Sequence, residues 1–538
     1  MPGGLLNLIS YGNFNVIING NPSKTFFKTT YAKYTNFGLQ KFRIDFNGLK
    51  TLRMNEDSHY TFKIPRYADL LMDTYFVITL PTIWSPMLLN ADENQPDISY
   101  IPYEFKWIEN LGSQLIRKVR FTIGSQIIYE FTGQYLYNMV QRDFSESKKK
   151  LFDEMTGNMP ELNDPANYKD RNGNYPNAYY DAAWDPAGPE PSINSKTIYI
   201  PFNIWSTLSS KLAIPLVSLQ YNILQIEVDC RPIQDLFVVR DLDAPNYLTA
   251  PYIHADQNLE KYNFYRFLQP PPSNNLIGEK SDNYPIQKTD WYAKIFLLST
   301  YAFLSEEEIR VFAAKPQKYL IKEVHEELFY DITGNRKTRI NSSGLVASWM
   351  WFYQRSDVKL RNEWSNYTNW PYKETIPYIG EHISNGEHTI PISGQYQTEN
   401  KREIMLTWGL LFDGKVRENE FESGVFNYIE KYVRTAGNGQ FGVYCYNFCL
   451  TTDPFQYQPS GAVNLSKFNN IEFEYSTYLP HLDEEARTFT ICNPEGELIG
   501  INKPVWRIYK YNYNMYVMEE RYNVLIFESG QAGLMFSR

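Results

Sequence analysis

Leu224-Gln225-Ile226-Glu227-Val228-Asp229-Cys230 is the stretch on which the fold class turns. Leu224, Ile226, Val228 and Cys230 alternate with Gln225, Glu227 and Asp229. A period of two puts one set of side chains on a buried face and the other in water, which is the pattern of a half-buried strand. The same period runs through Lys118-Val119-Arg120-Phe121-Thr122-Ile123, and near the end Tyr509, Tyr511 and Tyr513 alternate with Lys510, Asn512 and Asn514. The 43 Tyr and 33 Phe suit such faces, and an aromatic content of 16% also suits broad protein–protein contacts.

The chain has 538 residues. A single hydrophobic core stops growing at roughly 250–300 residues, and β sandwiches reach about 200–250 as one unit, so two large β domains are predicted. Hydrophobic residues are 43% and charged residues 21%, the balance of a globular chain. A net charge of −9 argues against a protein that coats nucleic acid, which presents a basic surface. Four cysteines, Cys230, Cys445, Cys449 and Cys492, are too few for a disulfide scaffold and point to a reducing compartment. Met1-Pro2-Gly3-Gly4 lacks the basic start and apolar stretch of a secretory signal. The apolar run from Ile295 to Leu304 is shorter than the ~18–20 residues that span a bilayer.

Ser305-Glu306-Glu307-Glu308 reads as a capping box, with Ile309, Phe312 and Ala313 on an apolar face and Pro316 as the stop. A second helix is expected near 145–155, where Lys148-Lys149-Lys150 reads as a solvated face. Two stretches read as loops. Residues 156–195 carry Pro160, Pro165, Pro176, Pro186, Pro189 and Pro191, and a loop of that length is usually functional or disordered. The stretch 232–287, with Pro270-Pro271-Pro272, is the candidate interdomain connection.

Motifs with chemical content are weak. Gly437-Asn438-Gly439-Gln440-Phe441-Gly442 matches the dinucleotide fingerprint, but the β-type run Val443-Tyr444-Cys445-Tyr446 follows where a helix is needed, so a Gly-rich hairpin turn is expected. Cys445 and Cys449 on a strand lie about 13 Å apart, too far to share a bond or a metal. His325-Glu326-Glu327 begins like a zinc-protease motif, but Phe329 stands where the second His belongs. The six histidines, His59, His254, His325, His382, His388 and His481, show no ligand spacing. No catalytic, cofactor or metal residues are assigned. Asn341, Asn366 and Asn464 open sequons and are candidate glycosylation sites, relevant only if the chain enters a glycosylating compartment.

A series of segments in order along the chain resembles the major capsid proteins of nucleocytoplasmic large DNA viruses. They begin with Gly3-Gly4-Leu5-Leu6-Asn7-Leu8-Ile9-Ser10-Tyr11-Gly12, Gly20-Asn21-Pro22-Ser23-Lys24-Thr25-Phe26-Phe27-Lys28 and Tyr34-Thr35-Asn36-Phe37. Ile64-Pro65-Arg66, Val77-Ile78-Thr79-Leu80-Pro81, Asn110-Leu111-Gly112, Tyr199-Ile200-Pro201-Phe202 and Ile214-Pro215-Leu216-Val217-Ser218-Leu219-Gln220-Tyr221 continue it. Glu307-Glu308-Ile309-Arg310, Gln458-Pro459-Ser460-Gly461-Ala462-Val463-Asn464-Leu465-Ser466 and Tyr522-Asn523-Val524-Leu525 extend it to the end.

The resemblance implies an all-β chain of two tandem eight-stranded antiparallel jelly rolls (a double jelly roll) with short helices in the loops. The expected divisions are an N-terminal arm over 1–25, a first jelly roll over 26–240, a connection over 241–288 and a second jelly roll over 289–538. The implied function is that of a structural major capsid protein, not an enzyme and without cofactors. Homotrimeric, pseudo-hexameric capsomers would tile the icosahedral shell of a double-stranded DNA virus. Implied partners are neighbouring capsomers, minor capsid proteins and a penton protein. An internal membrane lies near the arm residues Leu5, Leu6, Leu8 and Ile9, and no direct contact with nucleic acid is expected. The implied location is the outer shell of the virion, assembled in the host cytoplasm, with the 156–195 loop projecting from the capsomer top. Two alternatives are a transient double-jelly-roll scaffold that shapes a viral membrane, and a carbohydrate-binding β-sandwich.

Overall fold

Two sets of eight strands carry the architecture. In the first set β1 is Gly38–Asp45, β2 Ser58–Lys63, β3 Leu70–Leu80, β4 Ile116–Ile123, β5 Gln126–Phe131, β6 Lys196–Pro201, β7 Leu224–Cys230 and β8 Phe296–Phe303. In the second β9 is Gln317–Ile332, β10 Asn335–Arg339, β11 Leu345–Arg355, β12 Met405–Phe412, β13 Lys415–Glu422, β14 Val443–Asn447, β15 Ile471–Thr477 and β16 Tyr513–Glu528. The computed structural model describes residues 2–89, 100–180, 187–244, 250–272, 284–372, 383–384, 387–388, 402–486 and 488–536.

The first set forms sheets ordered β1-β8-β3-β6 and β2-β7-β4-β5, and the second forms β9-β16-β11-β14 and β10-β15-β12-β13. All these neighbours are antiparallel. The two halves therefore share one topology, first strand beside last in one sheet and second beside seventh in the other. That is the jelly roll, built twice.

The alternation read in β7 and β4 is realised. Leu224, Ile226 and Val228 are buried with Val119 and Phe121. The wetter side chains pair across the strands, Arg120 with Glu227 at 3.1 Å and Asp229 at 3.0 Å, and Asp229 with His59 at 2.7 Å. Tyr509 makes only an isolated bridge to Leu482, and the last strand starts at Tyr513.

β11 behaves differently. From Val346 to Arg355 every residue is buried, on both faces of its sheet. Trp349, Trp351 and Tyr353 point into the second barrel's own core, while Met350 and Phe352 belong to the core of the first. A strand wet on one face reads as alternation; this one is sandwiched and reads as a continuous apolar run, Val346-Ala347-Ser348-Trp349-Met350-Trp351-Phe352. Trp351 stacks on Trp408 at 4.7 Å, and both rings contact Phe473.

Several expectations need correction. β8 pairs with β1 and β3, so the first jelly roll begins at Gly38 and closes only at Phe303; the boundaries expected at 26, 240 and 289 do not describe it. The link between barrels is instead the helix α3, Glu306–Ala314. α3 forms where expected, but Ser305 makes no side-chain cap bond and Ile309 and Phe312 are only half-buried. The described parts of 241–288 belong to the first barrel rather than to a connector. Tyr262, Phe264 and Phe267 are buried in its core, and Tyr252–Ile253 pairs with the strand Phe237–Arg240. Residues 156–195 are no open loop either. Leu162 and Tyr175 are buried, and the Tyr175 hydroxyl bonds the Phe105 carbonyl at 2.7 Å; Pro186 lies outside the described residues. Helix α2 is Glu146–Thr156, but its Lys149 is buried rather than solvated, bonded to Asn438, and Lys148 lies 3.7 Å from the ring centre of Phe455.

Truncating Trp351 to Ala should cost about 3–5 kcal/mol, the usual loss for a large buried aromatic. Equilibrium denaturation in urea should show it as a lowered midpoint.

Candidate functional site: the seam between the two barrels

Helix α1, Gly133–Asp143, belongs to the first barrel and lies against the second. Thr132 caps it, accepting from the Tyr135 N–H at 3.2 Å. Its own N–H and hydroxyl donate to the Glu326 carboxylate of β9 at 2.9 and 2.8 Å. Of α1's residues only Gln141 is not buried. Leu136, Met139 and Val140 join the apolar core. Gln134, Asn138 and Arg142 recur at every fourth position, so they line one face. That face meets the second barrel. The Gln134 amide donates to the Trp364 carbonyl at 3.2 Å and the Asn138 amide to the Tyr367 hydroxyl at 3.0 Å.

Arg142 ends the stripe, and its side chain is fully shielded from solvent. It donates to Asp143 through two nitrogens, at 3.0 and 2.6 Å, and to Glu520 of β16 at 2.6 Å. Glu520 also accepts from Tyr135 and Ser348, each at 2.8 Å, with the Lys322 ammonium 3.6 Å away. Thr452 donates to Asp143 at 2.6 Å. Burial disfavours the Glu520 charge, but the two cations and two donors outweigh it and hold the carboxyl below its ordinary range. The Glu326 carboxyl, with only Thr132 donating to it, is instead pushed up by burial.

The Gly-rich match is part of the same seam. Gly437 and Gly439 donate backbone N–H groups to the Arg142 and Gln141 carbonyls at 2.9 and 2.8 Å, capping the C-terminal end of α1. A Cβ on Gly437 would stand 2.7 Å from both carbonyl oxygens, so only glycine allows this approach. The segment is not the expected hairpin turn: the helix Glu430–Arg434 precedes it and β14 follows. Further along, Asn362 donates to the Gln234 and Phe237 carbonyls, both at 2.8 Å, the Trp364 indole donates to Asp235 at 2.8 Å, and His254 bonds the Leu360 carbonyl and Asn362.

The residues singled out from sequence fall elsewhere. Asn341 and Asn464 are exposed, but Asn366 is buried; its carbonyl accepts from the Thr368 N–H and hydroxyl and its amide donates to Trp370. The Asn366 amide is thus held inside the fold, whereas those of Asn341 and Asn464 stand at the surface. His59 pairs with Asp229, and His325 lies 3.7 Å from Glu327; His382 falls outside the described residues. Cys230, Cys445 and Cys449 are buried free thiols, Cys492 an exposed one. Among the described residues no group of three or more His, Cys, Asp or Glu could hold a metal, and no helix is long and apolar enough to cross a membrane. Sequence reading missed Gln134, Asn138 and Arg142. The available signal was the four-residue spacing after Thr132, which resembles a wet helix face.

Strand direction gives the two ends of the molecule different characters. The short links 64–69 and 340–344 reverse the chain, so odd strands run one way and even strands the other. The long connections 81–115, 132–195, 231–295, 356–404 and 478–512 consequently all leave at one end. Residues 2–37 precede β1 at the opposite end and bury no residue, leaving Phe26, Phe27 and Tyr34 almost fully exposed.

This arrangement is found in known proteins. Residues 25–269 match the family model of the major capsid protein N-terminus, and residues 308–533 match that of the large eukaryotic DNA virus major capsid protein. The major capsid protein of Phaeocystis pouchetii virus is 24% identical, with the whole of both chains covered. Among solved structures, the PBCV-1 virus capsid superposes with a TM-score of 0.62 at 17% identity, covering 96% of this chain and 100% of that one. The Faustovirus major capsid protein gives 0.61 at 12% identity over 94% and 93%.

Replacing Glu520 by Gln breaks a buried pair and leaves Arg142 under-compensated, a loss of about 3–5 kcal/mol by analogy with other buried ion pairs. The lowered Glu520 carboxyl should stabilise fully above its unfolded value of 4.5, and that contribution should fade as pH falls through the lower folded value. Acid unfolding of E520Q should lack that component. In a chain secreted through a glycosylating host, peptide mass spectrometry of the folded fraction should find Asn366 unmodified, because the buried site leaves no room for a glycan.

Proposed function

The chain belongs to the family of large eukaryotic DNA virus major capsid proteins, and from that premise we propose that three copies associate into one pseudo-hexagonal capsomer. Its role is structural, as a component of the capsid. The observation that carries the trimer is the repeat of one topology in two barrels locked by a buried seam: three such rods present six similar barrels around an axis. Six similar units suit the hexagonal packing of a shell, and a head-to-tail interface closes into a ring when its rotation divides the circle evenly.

The loop-bearing end faces outward in this reading, and the exposed apolar arm lies beneath, facing minor capsid proteins and the inner membrane. The function is assembly rather than catalysis. The Cys445 thiol is buried and pushed up to about 11, unsuited to a nucleophile. Free thiols and a net charge of −9 fit assembly in a host cytoplasm without coating the genome.

Light scattering on the purified protein tests the trimer. The expected mass is three times the 63.2 kDa of one chain. A stable monomer across the micromolar range, in the absence of any partner, counts against spontaneous trimerisation.

A further inference from the structure

The connection between β15 and β16 carries a ribbon whose two strands pair with no other strand among the described residues. Phe489–Cys492 pairs with Leu498–Asn502 in a sheet of their own. Its tip is an ordered turn, in which the Asn493 side chain accepts from the Glu495 and Glu497 N–H groups and Gly496 takes a φ of 85°. Its root is tied by the Leu482–Tyr509 bridge, an Asp483 N–H bond to the Ile508 carbonyl and the Arg507–Asp483 ion pair. Yet Phe489, Ile491, Leu498, Ile499 and Ile501 are between 45% and 66% exposed, and Trp506 is 81% exposed. The register puts Phe489 and Ile491 on one face and Leu498 and Ile501 on the other, so both faces are apolar. With large apolar side chains of about 150–250 Å² each, the six expose on the order of 600 Å². Divided over two faces it makes no single large patch, but a partner that grips the ribbon from both sides would bury most of the roughly 800 Å² that one side contributes to a stable interface. An isolated two-stranded ribbon is marginal in water.

The partner follows from comparing the two barrels. The same connection in the first barrel, between β7 and β8, crosses the seam: its residues Asp235 and His254 bond Trp364, Leu360 and Asn362 of the second barrel. In a ring of six similar barrels, seams within a chain alternate with seams between chains. We infer that the 489–502 ribbon is the matching clasp at the second kind of seam, seated on the loop-bearing end of the first barrel of the next copy. The inference rests on the trimer reading above.

Cys492 lies in the ribbon and is the exposed thiol, whereas Cys230, Cys445 and Cys449 are buried, so it reports on cover. The test compares the full-length wild type with a variant carrying Phe489→Ser, Ile491→Thr, Ile499→Thr and Ile501→Thr, four exposed positions whose change should spare the barrels. The expected result is a wild-type trimer and a folded, monomeric variant, with Cys492 in the trimer reacting with Ellman's reagent roughly tenfold slower than in the monomer. A wild-type trimer from which the variant does not differ in mass overturns the clasp alone. A wild type that stays monomeric overturns the trimer reading and the clasp together. Should the variant misfold, Cys492 in the wild-type trimer decides: protection supports the clasp, and reaction at the rate of free glutathione overturns it.

Discussion

The Arg142 guanidinium is a full charge held where water does not reach, and the relation between the two barrels hangs on its partners. Asp143 comes from its own helix and Glu520 from the second barrel, which also supplies Ser348 and Lys322 beside Glu520 and Thr452 beside Asp143. Removing two opposite charges from water costs nearly as much as their attraction returns, so such a pair adds little to stability over good apolar packing. Its effect is selective. A small slip of one barrel along the other would strand a buried charge, whereas apolar surfaces tolerate sliding. The stripe Gln134, Asn138 and Arg142 thus specifies one alignment among many that would bury the same area.

Apolar burial supplies the bulk of the junction. The β9-β16-β11-β14 sheet has one face in its own barrel and the other against α1 and the first barrel's core, so the chain is layered through the seam rather than hinged there. Met350, Phe352, Met518 and Leu525 share a cluster with Leu136 and Met139 across that boundary. A two-barrel block without a hinge suits a shell, where each building unit must keep its angles under load from its neighbours.

The ends of this block divide the work. Strand reversal sends the five longest connections to one end and the arm to the other, where 202–223 and 448–470 also lie beside tight turns such as Asp413-Gly414. Loops can lengthen at little thermodynamic cost because closure entropy grows slowly with length. The loop-bearing end can therefore lengthen without disturbing the barrels or the seam.

Period-two strands such as β4 and β7 were readable from sequence because one face of each sheet is wetter than the other, and exposure leaves its mark on every second residue. The number of β domains and the capsid resemblance were readable too. The seam was not. A local pattern records how buried a side chain is, never which surface buries it. Gln134, Asn138 and Arg142 carry the spacing of a solvated helix face, yet a second barrel covers them. Phe296–Phe303 looks the same whether it closes the first sheet or opens the second, so the domain boundary was misplaced. Strands were legible because alternation depends on neighbours a few residues apart, and the fold class because the collinear segments span nearly the whole chain. The docking of two barrels rests on partners more than two hundred residues away in the chain, such as Glu520 for Arg142, and only the tertiary structure decided it.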